Sequence, residues 1–424
     1  MSTTSLRSGT ASQDTPPRTR RWAARHFHGI GYVLAILLVG ANMPTALYGV
    51  YRADFGFSPV TQTLIFAVYA AALVPALFLF GPLSDRVGRR PVLVTALGAG
   101  LVGAVVLAAA DATAWLVVGR ILQGVSVGAC SAAGAAALLD HVPGRDTVRA
   151  ARAASASTAA GAALGPLLAG AVAEYLPHST VLPYVLFAAA LVPGAVALAA
   201  LPKTTEPSHR GAAPGARRRL VEVPRLPRDI RSVFVLATLP AAIAWATVRL
   251  FQSVVPSWIA ELLGMSNLLV GAAAAALVMG CSVLSQLGMR GIDPLVAQRV
   301  GLGVMFGGTV GLFVVDRFPS LPLLFAVTVA VGLGHGWAFA GGMQRVGAAV
   351  AARAPETSGA VLAAFFTVTY IGLGVPAIVA GLLVTYQGTS TAVAEFSVAA
   401  AVLCLIALVL NMIRRSESAG AARE

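Results

Sequence analysis

Residues 81–90 read Gly81-Pro82-Leu83-Ser84-Asp85-Arg86-Val87-Gly88-Arg89-Arg90. One apolar run ends at this stretch and another begins at Pro91-Val92-Leu93. A carboxylate at such a boundary needs a cation or a helix N-terminus as partner. Asp85 has Arg86, Arg89 and Arg90 close by in the chain. Gly88 permits a tight reversal that a side chain would strain. Gly81 is expected to let a neighbouring helix approach closely. The segment reads as a sharp, charged turn between two apolar helices.

The rest of the chain repeats that grammar. Of 424 residues, 57% are apolar and 11% charged. A soluble globular chain carries about 25% charged residues, so a water-facing fold is excluded. Apolar runs lie near 29–51, 60–83, 91–110, 113–139, 153–175 and 181–201, then near 232–259, 267–289, 297–315, 320–346, 357–384 and 390–412. Each is long enough to cross a bilayer, which takes roughly 20 residues. The expected fold is an all-α integral membrane protein: 12 transmembrane helices in two pseudo-symmetric six-helix bundles. The expected organisation is a disordered cytoplasmic tail (1–27), a first bundle (28–201), a basic cytoplasmic linker (202–231), a second bundle (232–413) and a cytoplasmic tail (414–424). The basic start resembles a signal peptide, but the first run is too long and many spans follow it. Ala169-Gly170 with Tyr175 recurs as Ala380-Gly381 with Tyr386, 211 residues on, each near a proline (Pro166, Pro376).

Charge sets the expected orientation. Net charge is +13, and 29 of the 30 basic residues are Arg. With both termini inside, 26 of the 30 fall on the cytoplasmic side, and Arg52 and Arg317 on the outer side. The expected location is the inner or plasma membrane, with anionic lipid held at the cytoplasmic face. The richness in Ala, Gly, Val and Arg points to a GC-rich bacterial genome. Cys130, Cys281 and Cys404 all lie in apolar runs and read as packing residues, not as a metal or disulfide set. No nucleotide-binding loop, nucleophile elbow or metal-spaced cluster is written in the sequence. No cofactor, no metal, no nucleic-acid partner and no enzyme activity are expected.

The turn at 81–90 resembles the signature loop of the major facilitator superfamily, G-x-L-x-D-R-x-G-R-R/K. That resemblance implies a gating role for Gly81, Asp85, Arg86, Gly88, Arg89 and Arg90 as the two halves rock. A second segment, Arg120-Ile121-Leu122-Gln123-Gly124, resembles the R-x-x-Q-G motif linked to proton transfer in exporters; snorkelling of Arg120 is the plainer reading. A third, with Gly161, Gly165, Pro166 and Gly170, is similar to the fifth-span motif of the antiporter branch, although Ala169 replaces one glycine. Within that superfamily the chain resembles the 12-span drug:proton antiporter branch. Many of its members have an acidic residue in the first span, where this chain has Asn42. The loop after the eighth span, around Gly288 and Asp293, is a degenerate counterpart of the signature.

Residues expected to line the path are Asn42 and Tyr48 on the first span, Arg120 and Gln123 on the fourth, and Trp245, Arg249 and Gln252 on one face of the seventh. His335 in the tenth span is a second candidate proton carrier, and Tyr370 in the eleventh a hydrogen-bonding residue; Gln62 and Tyr69 on the second span, with Thr367 and Thr369, extend that polar set. Arg120 and Arg249 are the two charges well inside spans, which favours neutral or anionic amphipathic substrates. The expected function is proton-coupled export of a small molecule by a monomer. Uptake or uniport of a sugar or organic acid is the alternative, and a transporter-like membrane sensor is the alternative of another class.

Overall fold

The computed structural model describes residues 17–142, 147–202, 227–265, 267–289, 291–353 and 358–420. Most of the expected linker, the first part of the N-terminal tail and the end of the C-terminal tail lie outside the described residues. Among the described residues there are helices and no strand.

The first half comprises α1 (Pro17–Asn42), α2 (Pro44–Phe55), α3 (Pro59–Val87), α4 (Arg89–Ala108), α5 (Thr113–His141), α6 (Thr147–Tyr175) and α7 (Leu182–Ala199). The second comprises α8 (Arg231–Ser253), α9 (Val255–Leu263), α10 (Leu268–Leu287), α11 (Pro294–Arg317), α12 (Leu321–Arg353), α13 (Ser358–Gln387) and α14 (Thr389–Gly420). Twelve helices are long and apolar enough to cross a membrane. Even-numbered crossing puts both chain ends on one face, termed here the terminal face; the other is the far face.

Two spans differ from their expected form. The first was expected to run unbroken but divides at Met43 into α1 and α2, and the seventh divides at Val254 into α8 and α9. Each second piece carries a proline in its first turn, Pro44 and Pro256. Proline fits the first turn of a helix and cannot continue the ladder from the turn before it. Pro44 offers no N–H to the Gly40 carbonyl, and Pro256 none to the Gln252 carbonyl. The breaks therefore leave carbonyls without helical partners at equivalent places in both halves. In hydrocarbon each would cost several kcal/mol unless a side chain took it.

Each half has its own apolar packing. One cluster runs from Phe27 to Leu201 and reaches across only at Ala272. Others gather residues of the second half, with Ala162 and Ala163 of α6 packed against one of them. Apolar side chains on α4, α7 and α14, such as Val105, Val196 and Val402, point outward and are exposed. Such a surface is costly in water and suits lipid. Cys130, Cys281 and Cys404 are buried and free.

The halves meet along two helix pairs, α3 with α13 and α6 with α10. Among the described residues, several hydrogen bonds join the halves near the far face. The Val60 N–H donates to the Thr385 hydroxyl (3.2 Å), the Leu268 N–H to Glu174 (2.8 Å) and the Asn267 amide to the Tyr175 hydroxyl (3.3 Å). A Cβ on Gly170 would lie 2.6 Å from that of Ala272, so this glycine lets α6 press against α10.

Candidate functional site

The midplane site grows out of the two broken helices. Gln123 and Arg120 project from α5 toward the end of α1. Gln123 Nε2 donates to the Gly40 carbonyl at 2.9 Å, the acceptor that Pro44 cannot serve. Arg120 Nη1 donates to the Ala41 carbonyl (2.6 Å) and to Gln123 Oε1 (2.7 Å). Arg120 is 2% exposed. It does not snorkel; it is tied into its own half. At the other break, Gln62 Nε2 of α3 donates across the interface to the Ser253 carbonyl at 2.9 Å.

Arg249 comes from α8, 3% exposed, and its guanidinium lies 3.7 Å from the centre of the Phe66 ring. The Arg120 guanidinium lies 5.1 Å from that ring and 4.3 Å from the ring of Tyr69. The two arginines, one per half, therefore share Phe66. Nε and Nη1 of Arg249, Nε of Arg120 and the Tyr48 hydroxyl are buried without a hydrogen-bond partner. A desolvated cation–π contact is worth about 2 kcal/mol, whereas an ion taken out of water costs several kcal/mol. The ring contact offsets only part of that cost, so Arg249 is held under-satisfied by its surroundings. Tyr48 and Tyr69 lie within electrostatic reach of both guanidiniums, and Tyr370 within that of Arg249. Tyr370 packs on the first-half cluster that contains Tyr69. Above the cluster, a cleft of about 360 Å³ between α2 and α9 opens toward the far face, and Tyr48, Gln62 and Ser253 are among the residues that line it.

The other sequence candidates fall elsewhere. Asn42 Nδ2 donates to the Leu38 carbonyl of its own helix (2.8 Å) and packs under Gly165. Gln252 is buried at the end of α8. Trp245 points inward on the same helix as Arg249 but meets a different group: its ring is edge-on to His335 at 5.1 Å and to Phe339 at 5.8 Å. His335 is buried, with Nδ1 hydrogen-bonded to the Ser282 hydroxyl (2.7 Å) and Nε2 without a partner. This second cluster lies wholly within the second half.

At the terminal face the α3–α4 turn is a single residue. Gly88 has φ +95°, in the region that favours glycine. Arg89 pairs with Asp85 and reaches Asp140 of α5 at 3.4 Å, and its Nη1 donates to the Ser84 hydroxyl (2.7 Å). Arg90 donates to the Leu201 carbonyl (3.1 Å). These contacts stay within the first half. Gly81 does not provide the expected close approach: a Cβ there would meet nothing nearer than Ala132 at 3.9 Å, an ordinary contact. Gly161 and Gly165 do. A Cβ on Gly161 would lie 2.6 Å from the Ala35 carbonyl oxygen, and one on Gly165 would lie 2.5 Å from that of Val39. The fifth-span motif thus presses α6 onto α1, just below the break.

Phe66 escaped the sequence reading, as an aromatic in an apolar run carries no chemical signal. Its spacing from Gln62 and Tyr69, four and three residues, did mark one helical face. The Pro44 and Pro256 pair was the other unused signal.

A family model described as the Major Facilitator Superfamily matches residues 29–346. Over 112 residues, 26% of the chain, the sequence is 31% identical to the multidrug resistance protein MdtL of Klebsiella pneumoniae (strain 342) and of Escherichia coli (strain UTI89 / UPEC). The match spans 29% of those relatives' length. Among solved structures, a bacterial homolog of the human lysosomal transporter Spinster, inward-facing and unoccupied, superposes with a TM-score of 0.69 at 16% identity, covering 94% of this chain and 97% of that one. The nucleoside transporter NupG gives 0.69 at 14% identity, covering 92% and 99%. At these identities the likeness is one of fold.

Proposed function

The chain belongs to the Major Facilitator Superfamily, and we propose that it is a secondary active transporter that exports a small amphipathic molecule in exchange for protons, by alternating access. The observation that carries this reading is a midplane cluster built by both halves. Arg120, Tyr48 and Phe66 from one half meet Arg249 and Tyr370 from the other. A site built by both halves is remade whenever they rock. On this reading the terminal face is cytoplasmic, because it holds most of the arginines. Arg89, Asp85 and Asp140 form the latch partner that waits in the first half. Anionic lipid neutralises the basic terminal face, and the working unit is one chain.

Export is supported by the Gly161, Gly165, Pro166 packing and by the stretch similar to MdtL. A second reading, uptake or uniport of a small solute, is favoured by one feature: among the described residues no carboxylate forms an ion pair with Arg249 at the midplane. Accumulation of a compound panel in an efflux-deficient bacterium, with and without a protonophore, separates the two. Export predicts lower accumulation that recovers when the proton gradient collapses. Higher accumulation in expressing cells would assign uptake instead.

A further inference from the structure

The class of substrate can be read from the midplane site, given the transporter reading above. Arg249 and Tyr48 are 3% and 2% exposed, yet Nε and Nη1 of the first and the hydroxyl of the second have no partner. The Arg249 guanidinium lies 3.7 Å from the centre of the Phe66 ring, which Arg120 also faces at 5.1 Å. Among the described residues the ion pairs found belong to Arg89 at the terminal face, far from this site. Two guanidiniums therefore share one ring with no counter-charge. A guanidinium keeps its proton in proteins, so the site cannot neutralise itself. Phe66 and the tyrosines supply flat apolar faces beside the open donors.

We propose that this site binds an aromatic carboxylate, with Arg249 and Tyr48 donating to the carboxylate and the rings of Phe66, Tyr69 and Tyr370 flanking its apolar body. Arg120, whose Nη1 is engaged by Ala41 and Gln123, adds fixed positive charge. A single negative charge suits the pair, and a quaternary amine meets two cations and no partner. The cation–π contact of Arg249 with Phe66 occupies the guanidinium when the site is empty and is exchanged for the carboxylate on binding.

The test uses the full chain purified in detergent, with naphthoate, naphthamide and benzyltrimethylammonium as probes. Naphthoate is expected to bind and raise the unfolding midpoint. Naphthamide is expected to bind at least about tenfold more weakly, the size of one charge-assisted hydrogen bond, and the ammonium not at all. Arg249→Gln is expected to lower naphthoate affinity to that of the amide, and Arg249→Lys to fall between. The wild-type comparison of acid with amide needs no variant, and size-exclusion profiles show whether each variant is folded. Equal binding of acid and amide, binding of the cation alone, failure of naphthoate to bind, or a folded Arg249→Gln that binds naphthoate normally would each overturn the proposal. Binding in detergent has no direction. Naphthoate bound but moved inward in liposomes would overturn the export reading and leave the anion site standing; proton-driven export of the cation alone would do the reverse.

Discussion

Arg120 and Arg249 come from opposite halves, share the ring of Phe66 and differ in what holds them. Arg120 is bonded to the Ala41 carbonyl and Gln123, both in its own half. Arg249 leaves Nε and Nη1 open. The same contrast appears at the terminal face. Arg89 in the first half is paired with Asp85 and Asp140. The second half gathers Arg345, Gln298, Arg299 and Asn411 into a hydrogen-bonded cluster in which Arg299 Nε has no partner. The first half leaves one of these buried donors open, Nε of Arg120, and the second leaves three, Nε and Nη1 of Arg249 and Nε of Arg299. A buried charge answered by its own domain is scaffold; one left open is poised for something that arrives later.

The largest expected effect tests that division through stability. Arg120→Gln strips the Ala41 carbonyl of its donor beside a helix break and is expected to destabilise the chain by about 3 kcal/mol. Arg249→Met removes a charge with no partner and is expected to be neutral or to stabilise by about 1–4 kcal/mol. Both are expected to weaken naphthoate binding, Arg249→Met by about tenfold and Arg120→Gln by less. Unfolding midpoints in detergent give the signs directly. Equal destabilisation by the two would mean that Arg249 is as well satisfied as Arg120, and the distinction between halves would fall.

How far this was legible varies residue by residue. The number of spans followed from apolar runs, because a bilayer sets one length for every crossing. The tight reversal at Gly88 followed from a glycine standing between two charged helix ends; its length of one residue came from the structure. The breaks at Met43 and Val254 did not, although Pro44 and Pro256 stand in the sequence; an apolar run shows no interruption when the break lies inside it. Arg120 and Arg249 stood out as charges well inside spans, but their burial and their convergence on Phe66 depend on how the halves dock. Nothing in α3 alone says which residue of α8 it will face. Trp245 and Arg249 share a helix face, as their spacing required, yet one joins His335 and the other Phe66, because the face spans two neighbours.

The next effect is smaller and lies at the terminal face. Asp85→Asn leaves Arg89 its contacts with Asp140 and Ser84. The Asp85 side chain is 53% exposed, and an exposed pair is worth no more than about 1 kcal/mol. Folding and membrane expression are therefore expected to be near normal. An energy of that size still shifts a balance between two states about fivefold. Turnover in proteoliposomes is expected to fall by about that factor, with binding in detergent unchanged. Normal turnover would reduce the loop to a topological signal and remove one leg of the contrast.

The smallest effect is expected at the counterpart loop, where the same residue type does different work. Asp293 accepts from the Leu295 and Val296 N–H groups, at 2.9 and 3.0 Å, and so caps α11. Asparagine caps about as well as aspartate, and the lost charge at a helix N-terminus is worth roughly 0.3–1 kcal/mol. Asp293→Asn is expected to leave turnover within about twofold of wild type and to lower the unfolding midpoint slightly. Asp293→Ala, which loses the cap, is expected to cost about 1 kcal/mol and still to transport. If Asp293→Asn slowed turnover as much as Asp85→Asn, the second loop would be a latch in its own right. The two halves would then gate symmetrically, and the difference between their arginines would have to be explained by the substrate alone.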